Sequence, residues 1–308
     1  MLPAAREGEM LPAAREGAML IATPGTAQLD PLRRAYAEAG AARRRVVVLG
    51  AAVLLVGVAL AWVGAEVDPA KFWRGLPNAG SYVGRLAHLD TGAYVWTDPK
   101  YWFWGLRRWS IELGQTLLIA YVGTASGLAI GIAGSVLASA NLVRSAAVRF
   151  AVRRVLEFMR TVPDIVFALV FVVAFGLGPL PGVLAITLHT GGTLGKLFTE
   201  VVESIDLKPL EGVAATGGSW LSQIRFGVLP QVLSNFASYA LLRLEYNVRG
   251  AAVIGFVGAG GIGQDLLVAI RKFYYSDVSA MLLMLMLCVM VIDIVSEKLR
   301  HRLLALDS

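Results

Sequence analysis

From Leu113 to Val143 the chain carries no charged side chain, and a stretch of that kind has few places to fold. A helix needs about 20 apolar residues, at about 1.5 Å each, to cross a hydrocarbon core about 30 Å thick. This run is long enough. So is Val46 to Val63, which follows Arg43-Arg44-Arg45. Across all 308 residues, 56% are apolar and 16% charged, against roughly 25% charged in soluble domains. The expected fold class is therefore all-α, a polytopic integral membrane protein. The net charge of +6 does not imply nucleic acid, because the basic residues sit mostly between hydrophobic runs, as in inner-side loops. Cys288 is the single cysteine and lies in an apolar run, so it reads as a small packed hydrophobe.

About six transmembrane helices are expected. Residues 1–45 read as a cytoplasmic tail without ordered structure, opening on the duplication MLPAAREGE, MLPAAREGA, to which no function is assigned. The first span is 46–63, and the basic cluster before it holds the amino terminus inside. Its rival is a signal peptide cleaved after Val63-Gly64-Ala65, which the long polar leader and long apolar run oppose. Residues 64–112 form an external or interfacial connection rich in tryptophan and tyrosine, rings that collect at headgroup level. The basic residues it also carries weaken that topology without reversing it.

The second span, Leu113 to Val143, is rich in small residues (GTASGLAIGIAGS) and should be buried against neighbours. Arg144, Arg149, Arg153 and Arg154 mark an inner loop after it. Pro163 should begin or kink a helix, and Gly176 to Gly182 should break one. The fourth span is Val183 to about Val202, the fifth about Pro230 to Val257, and the sixth about Ser276 to Ser296. Both termini then lie in the cytoplasm, as does the loop after the fourth span.

That loop, PLEGVAATGGSWLSQIRFGVLP at 209–230, is short, polar and broken by glycine. Pro209 suits a helix start, and Glu211 falls in its first turn, where a carboxylate meets the positive end of the helix dipole. Gly217-Gly218 ends the helix, SWLSQIRF forms a second short one, and Pro230 starts the next span. The product is a helix–turn–helix elbow, with Ala214, Ala215, Trp220 and Leu221 as contacts for a partner groove. An ordinary interfacial loop is the competing reading.

The acid at Glu211, Gly217 six residues on, and the pair Leu229-Pro230 resemble the EAA loop of binding-protein-dependent ABC importer permeases. Gly212 and Val213 depart from the alanines favoured there, and Gly227 from isoleucine. RTVPDIVFALVFVVAFGLGPLPGVLAITLHTGGTLGKLFTE and LRLEYNVRGAAVIGFVGAGGIGQDL are similar to the phosphonate permease branch, the PhnE family, over roughly residues 110 to 300. The resemblance implies a type I importer (MetI-like) permease fold, with a core permease domain at 113–300 and its coupling loop at 209–230. It implies the membrane subunit of an importer for phosphonates or related phosphorus oxyanions, in a bacterial plasma membrane. Its partners would be a second permease copy, two cytoplasmic ATPase subunits that hold the ATP and Mg, and an external binding protein. The loop residues Glu211, Ala214, Ala215, Gly217, Leu229 and Pro230 would transmit ATPase closure to the pathway.

Candidate pathway residues lie in the later spans. Arg243, Glu245, Asn247 and Arg249 fall inside the fifth, where a central charge costs about 2.5–3.5 kcal/mol and so faces a bundle interior or a water cavity. Glu245 and Arg249 are spaced to pair on one helical face. The charges either lend positive potential to an anion pathway or hold helices together. Gly258, Gly260, Gly261 and Gly263 spell G-x-G-x-x-G, but a membrane helix precedes them and no βαβ unit surrounds them. They read as a backbone reversal that lines the pathway mouth or packs tightly. His189 either touches substrate or is hydrogen-bonded in packing. Lys196 and Asp293 can snorkel from near the inner ends of their spans.

No Walker loop, metal-ligand spacing or catalytic triad is present, so no catalytic residue, metal or chain-borne cofactor is expected. Other readings stay open: a permease for phosphate, phosphite or an amino acid, an ion-driven secondary transporter, or an intramembrane enzyme using His189 with Glu245.

Overall fold

The computed structural model describes residues 26–66 and 68–304. Among them every regular element is helical, apart from one isolated bridge between His88 and Tyr94. The chain divides into two compact units, Met1–Leu76 and Pro77–Ser308, and the division falls at Pro77 inside a helix.

In the first unit, α1 (Thr26–Gly64) takes in the expected 46–63 span and starts well before it. Residues 26–45, expected as tail, are therefore helical as far as they are described, which suits the alanine-rich stretch AEAGAA. The duplicated first eighteen residues lie outside the described residues. From Val46 to Val63 the apolar side chains of α1 are exposed on all sides, the character of a helix solvated by lipid. α2 (Pro69–Leu86) starts at a cap, the Asp68 carboxylate accepting from the amides of Ala70 at 2.8 Å and Lys71 at 3.2 Å.

The rest of the 64–112 connection is ordered. A short 3₁₀ turn at Val95–Thr97 leads to α3 (Pro99–Trp102), capped by Asp98, and then to α4 (Leu106–Ala138). The second span thus begins before Leu113, with Trp109 buried in the core, and ends before Val143, where Ser139 leaves the helical conformation. Several of its aromatic rings are anchors. Trp102 Nε1 donates to the Ser276 carbonyl at 3.2 Å and to Ser279 Oγ at 3.0 Å, and Trp104 Nε1 donates to Asp277 at 2.9 Å.

α5 (Ala146–Thr161), capped by Ser145, and α6 (Asp164–Phe175) follow, bent by 88° at Val162-Pro163. Proline lacks the donor that would continue the helix and pushes the residue before it out of the helical region. Gly176 and Gly178 turn the chain at φ +86° and +139°, and α7 (Pro179–Glu203) begins at once. Gly182, expected in the breaking turn, is inside α7, where a Cβ would stand 3.0 Å from the Ala259 carbonyl and 3.1 Å from Ile119.

α8 (Lys208–Ala215) and α9 (Trp220–Gln223) form the elbow. After a wide turn at Ile224–Val228 come α10 (Leu229–Ile254), α11 (Ile262–Arg271) and α12 (Tyr275–Leu304). Among the described residues three helices (α1, α4 and α12) are long and apolar enough to cross a membrane, and up to five spans result if each of two bent pairs counts as one. The pairs are α5 with α6, and Trp220–Val257 with α11, the latter bent by 49°.

The fourth expected span, α7, is not among them. At 25 residues it is long enough, but its glycines, threonines, His189 and Lys196 keep it from being apolar. The reason is its position. α7 packs along α4 and is flanked by α5, α6 and α10, so its solvent is protein.

Close approach is what the small residues of α4 provide. A Cβ on Gly123 would meet Ile186 at 2.7 Å, one on Gly127 would meet Thr190 at 2.7 Å, and one on Gly131 would meet Leu194 at 2.9 Å. These glycines recur every four residues and make one stripe facing α7. Without a hydrophobic force between helices in lipid, such backbone proximity supplies the packing energy.

Candidate functional site

The elbow is built on a buried seat. Leu210 is 9% exposed and joins Phe198, Val228, Val232 and Phe236, with the Phe198 and Phe236 rings stacked at 3.8 Å. Gly227 lies so close beneath α8 that a Cβ there would stand 3.0 Å from the Leu210 Cα. That proximity accounts for glycine where the resemblance favours isoleucine.

Gly217 takes φ +77°, the left-handed turn that ends α8, and Ser219 caps α9 through the Ser222 amide at 3.3 Å. Two further side chains fix the elbow to the body. Trp220 Nε1 donates to the Leu142 carbonyl at 3.1 Å, and Gln231 Nε2 donates to the carbonyls of Asp206 at 3.1 Å and Gly227 at 2.6 Å.

All six residues expected to form the coupling surface, Glu211, Ala214, Ala215, Gly217, Leu229 and Pro230, are exposed on this rigid support. Leu221 and Phe226 are exposed beside them, at 69% and 62%. Large apolar side chains presented on a polar, anchored elbow make a surface suited to a partner.

The charged residues of α10 separate into distinct environments. Arg249 pairs with Glu245 one turn earlier and lies 3.9 Å from Asp293 of α12, so carboxylates on two helices balance its charge. Arg243 has no such carboxylate. Its guanidinium lies over the Tyr246 ring at 4.6 Å, while its Nε and Nη2 are buried without a hydrogen-bond partner.

Asn247 is buried and donates to Thr124 of α4 at 2.8 Å and Thr190 of α7 at 2.9 Å, tying three helices together. Asn247→Leu should lower stability by about 1 kcal/mol, the scale of interhelical hydrogen bonds in membranes. Unfolding of the purified chain in mixed detergent–SDS micelles measures it, and an unshifted midpoint would deny the bond any role.

His189 sits at the α5–α6 break, where its Nδ1 donates to the Val162 carbonyl at 3.0 Å. This is the hydrogen-bonded packing contact expected as one of its two readings. Arg243, Asp164 and Arg160 are all within electrostatic reach of the same ring. Arg160 and Asp164, which flank the break, escaped the sequence reading. The signal was available in R-T-V-P-D, where charges flank a helix-breaking proline on both sides.

The glycine run is a packed reversal. Gly258, Gly260 and Gly261 have φ of +89°, +83° and +75°, and these three and Gly263 are all buried. The Gly178 amide donates to the Gly258 carbonyl at 3.0 Å, the Gly261 amide to Gln115 Oε1 at 2.9 Å, and the Ile262 amide to Thr116 Oγ1 at 2.9 Å. A Cβ on Gly263 would strike the Ala252 carbonyl, so this glycine lets α11 fold back against α10. Left-handed backbone at Gly258, Gly260 and Gly261 and close packing at Gly263 account for these glycines.

Kinked spans and an anchored polar elbow, in an all-helical chain with membrane-length helices, are what a membrane transport component presents. The chain is a member of the family of binding-protein-dependent transport system inner membrane components, which it matches over residues 113–304. It is thus a multi-pass transport component of the inner membrane, without catalytic function of its own.

It is 35% identical over 254 residues to the phosphite transport system permease protein PtxC of Stutzerimonas stutzeri, covering 82% of this chain and 88% of that one. It is 47% identical over 117 residues to a cryptic phosphonate transport system permease protein, PhnE2, of Escherichia coli (strain K12), covering 38% of this chain and 96% of that one. Among solved structures it resembles a chain of the inward-facing MetNI methionine ABC transporter with a TM-score of 0.55, at 20% identity, covering 63% of this chain and 95% of that one. That likeness establishes the fold.

Proposed function

We propose that this chain is the membrane-spanning permease of an ATP-driven importer for phosphorus oxyanions, phosphonates and phosphite foremost. Two copies form the pathway, two cytoplasmic ATPase subunits hold the ATP and Mg, and an external binding protein delivers the ligand. The chain binds no cofactor, and both of its termini and the elbow lie in the cytoplasm. The observation that carries this reading is the elbow itself: an exposed surface around Glu211, locked to α7 and α10 through Leu210, Gly227 and Gln231. A push on α8 is thereby delivered to the base of α10, the helix that bears Arg243, Asn247 and Arg249. ATPase closure would move the spans, and alternating access would follow. The named specificities of the phosphite and phosphonate relatives support the ligand class.

A panel of ligands tests this. The assembled importer in liposomes should raise its ATP hydrolysis when its binding protein is loaded with phosphite, phosphate or methylphosphonate, and should ignore methionine. Stimulation by an uncharged or cationic solute instead would overturn the ligand class, while leaving the coupling arrangement standing.

A further inference from the structure

We infer that the break between α5 and α6 is one wall of an anion site, in which Arg160, His189 and Arg243 receive a tetrahedral phosphorus oxyanion on its way through the membrane. The inference rests on the importer reading above and adds the residues that would meet the cargo inside the permease.

Three separate elements carry the groups, and Arg160 and Arg243 both lie within electrostatic reach of His189. Arg160 lies in the last turn of α5, His189 on α7 is fixed to the Val162 carbonyl at the break, and Arg243 comes from α10. Asp164 opens α6 beside them, and its Oδ1 already accepts from the Ile165 amide at 2.9 Å. Among the described residues no ion pair within 4.0 Å joins Asp164 to either arginine. The cluster therefore holds two guanidinium cations and one carboxylate, a net positive charge.

The donors are placed for oxygen. Arg160 Nε and Arg243 Nε and Nη2 are buried and have no hydrogen-bond partner. Nε and Nη2 are the two nitrogens on the side edge of a guanidinium, the fork that takes two oxygens of a phosphate or carboxylate at once. Buried polar groups are otherwise almost always paired, so three orphaned N–H groups in one cluster call for a ligand. Intramembrane charges of this kind mark ion and substrate paths.

Arg160 also lines a cavity of about 200 Å³ together with Arg153, Arg154 and Lys196, alongside Glu157 and Glu200. Arg153, Arg154 and Lys196 are ion-paired with Glu203, Glu157 and Glu200, which leaves Arg160 as the cation on this wall without an ion pair among the described residues. Arg249, balanced by Glu245 and Asp293, is not part of this arrangement.

The test uses the importer assembled with its ATPase and binding protein in liposomes, with labelled phosphite as the probe. Arg160→Gln and Arg243→Gln should each lower uptake by about tenfold or more, the factor for losing a charge-assisted hydrogen bond. ATP hydrolysis stimulated by the loaded binding protein should persist, and Arg243→Lys, which keeps the charge without the fork, should recover part of the uptake. In a second measurement, the permease–ATPase complex without binding protein should broaden the ³¹P signal of phosphate, and the glutamine variants should not.

Wild-type uptake and broadening in both glutamine variants would overturn the site. Loss of uptake together with assembly, with lysine no better than glutamine, would assign the arginines to packing and overturn it too. If the wild-type importer carries none of phosphite, phosphate and methylphosphonate, the functional reading itself fails, a result distinct from failure of the site.

Discussion

Gly192→Leu should sharply reduce the amount of folded protein recovered from the membrane. A Cβ at this position would lie 2.6 Å from the Arg160 amide nitrogen, 2.7 Å from the Leu156 carbonyl oxygen and 2.8 Å from the Met159 Cβ. The nearest two are backbone atoms of α5, which cannot rotate aside as a flexible side chain would. The helices must separate, and separation breaks the contact between α5 and α7 at the break that places Arg160 and His189.

Overpacking a tight interior costs about 1–3 kcal/mol even where side chains give way, and here the obstacle is main chain. Against a total stability of about 5–15 kcal/mol that is a large share. The comparison variant is Gly114→Leu on α4, where a Cβ meets nothing within 4 Å. Yield of monodisperse protein and its unfolding midpoint should fall for the first and hold for the second. Equal behaviour of the two would mean that α5 and α7 are not packed as described.

The second large effect concerns the elbow, where seat and surface give different failures. Leu210→Asp puts a carboxylate at 9% exposure among Phe198, Val228, Val232 and Phe236. Burying it there without a partner costs several kcal/mol, so α8 should leave its seat. ATP-driven uptake should then be lost, and a protease should cut 208–223 faster than in the wild type. Glu211→Ala is the converse case. Glu211 is exposed, so removing it changes stability by no more than about 0.5 kcal/mol, while the docking surface loses its carboxylate. Uptake should fall about tenfold with the elbow still protected from protease.

The elbow was the most legible part of the chain because its signals are local. Pro209, Gly217 and Pro230 each act through their own backbone, and α8, its end and the start of α10 fall where those residues put them. The stripe of Gly123, Gly127 and Gly131 was legible for the same reason, since small residues at helical spacing admit a neighbour.

What depends on distant parts of the chain was hidden. α7 was read as a span, but its polar and glycine-rich composition has its reason in α4, α5, α6 and α10, which relieve it of facing lipid. The tail reading of residues 26–45 took polarity for lack of structure, although alanine-rich sequence favours a helix. Arg160 and Asp164 gained interest only once the 88° bend had turned them toward His189 and Arg243, more than twenty residues away in the chain. The pairing of Arg249 with Glu245 was legible in their spacing, but the partnerless edge of Arg243 and the approach of Asp293 to Arg249 are properties of the packed bundle.

ATP-dependent phosphite uptake by the three-part importer in liposomes, wild type beside Glu211→Ala, tests the central claim most directly. Uptake by the wild type should require ATP, the ATPase and the loaded binding protein together. Glu211→Ala should abolish most of that uptake while the complex remains assembled. Phosphite uptake that continues without the ATPase, or that is undiminished by Glu211→Ala, would contradict the account.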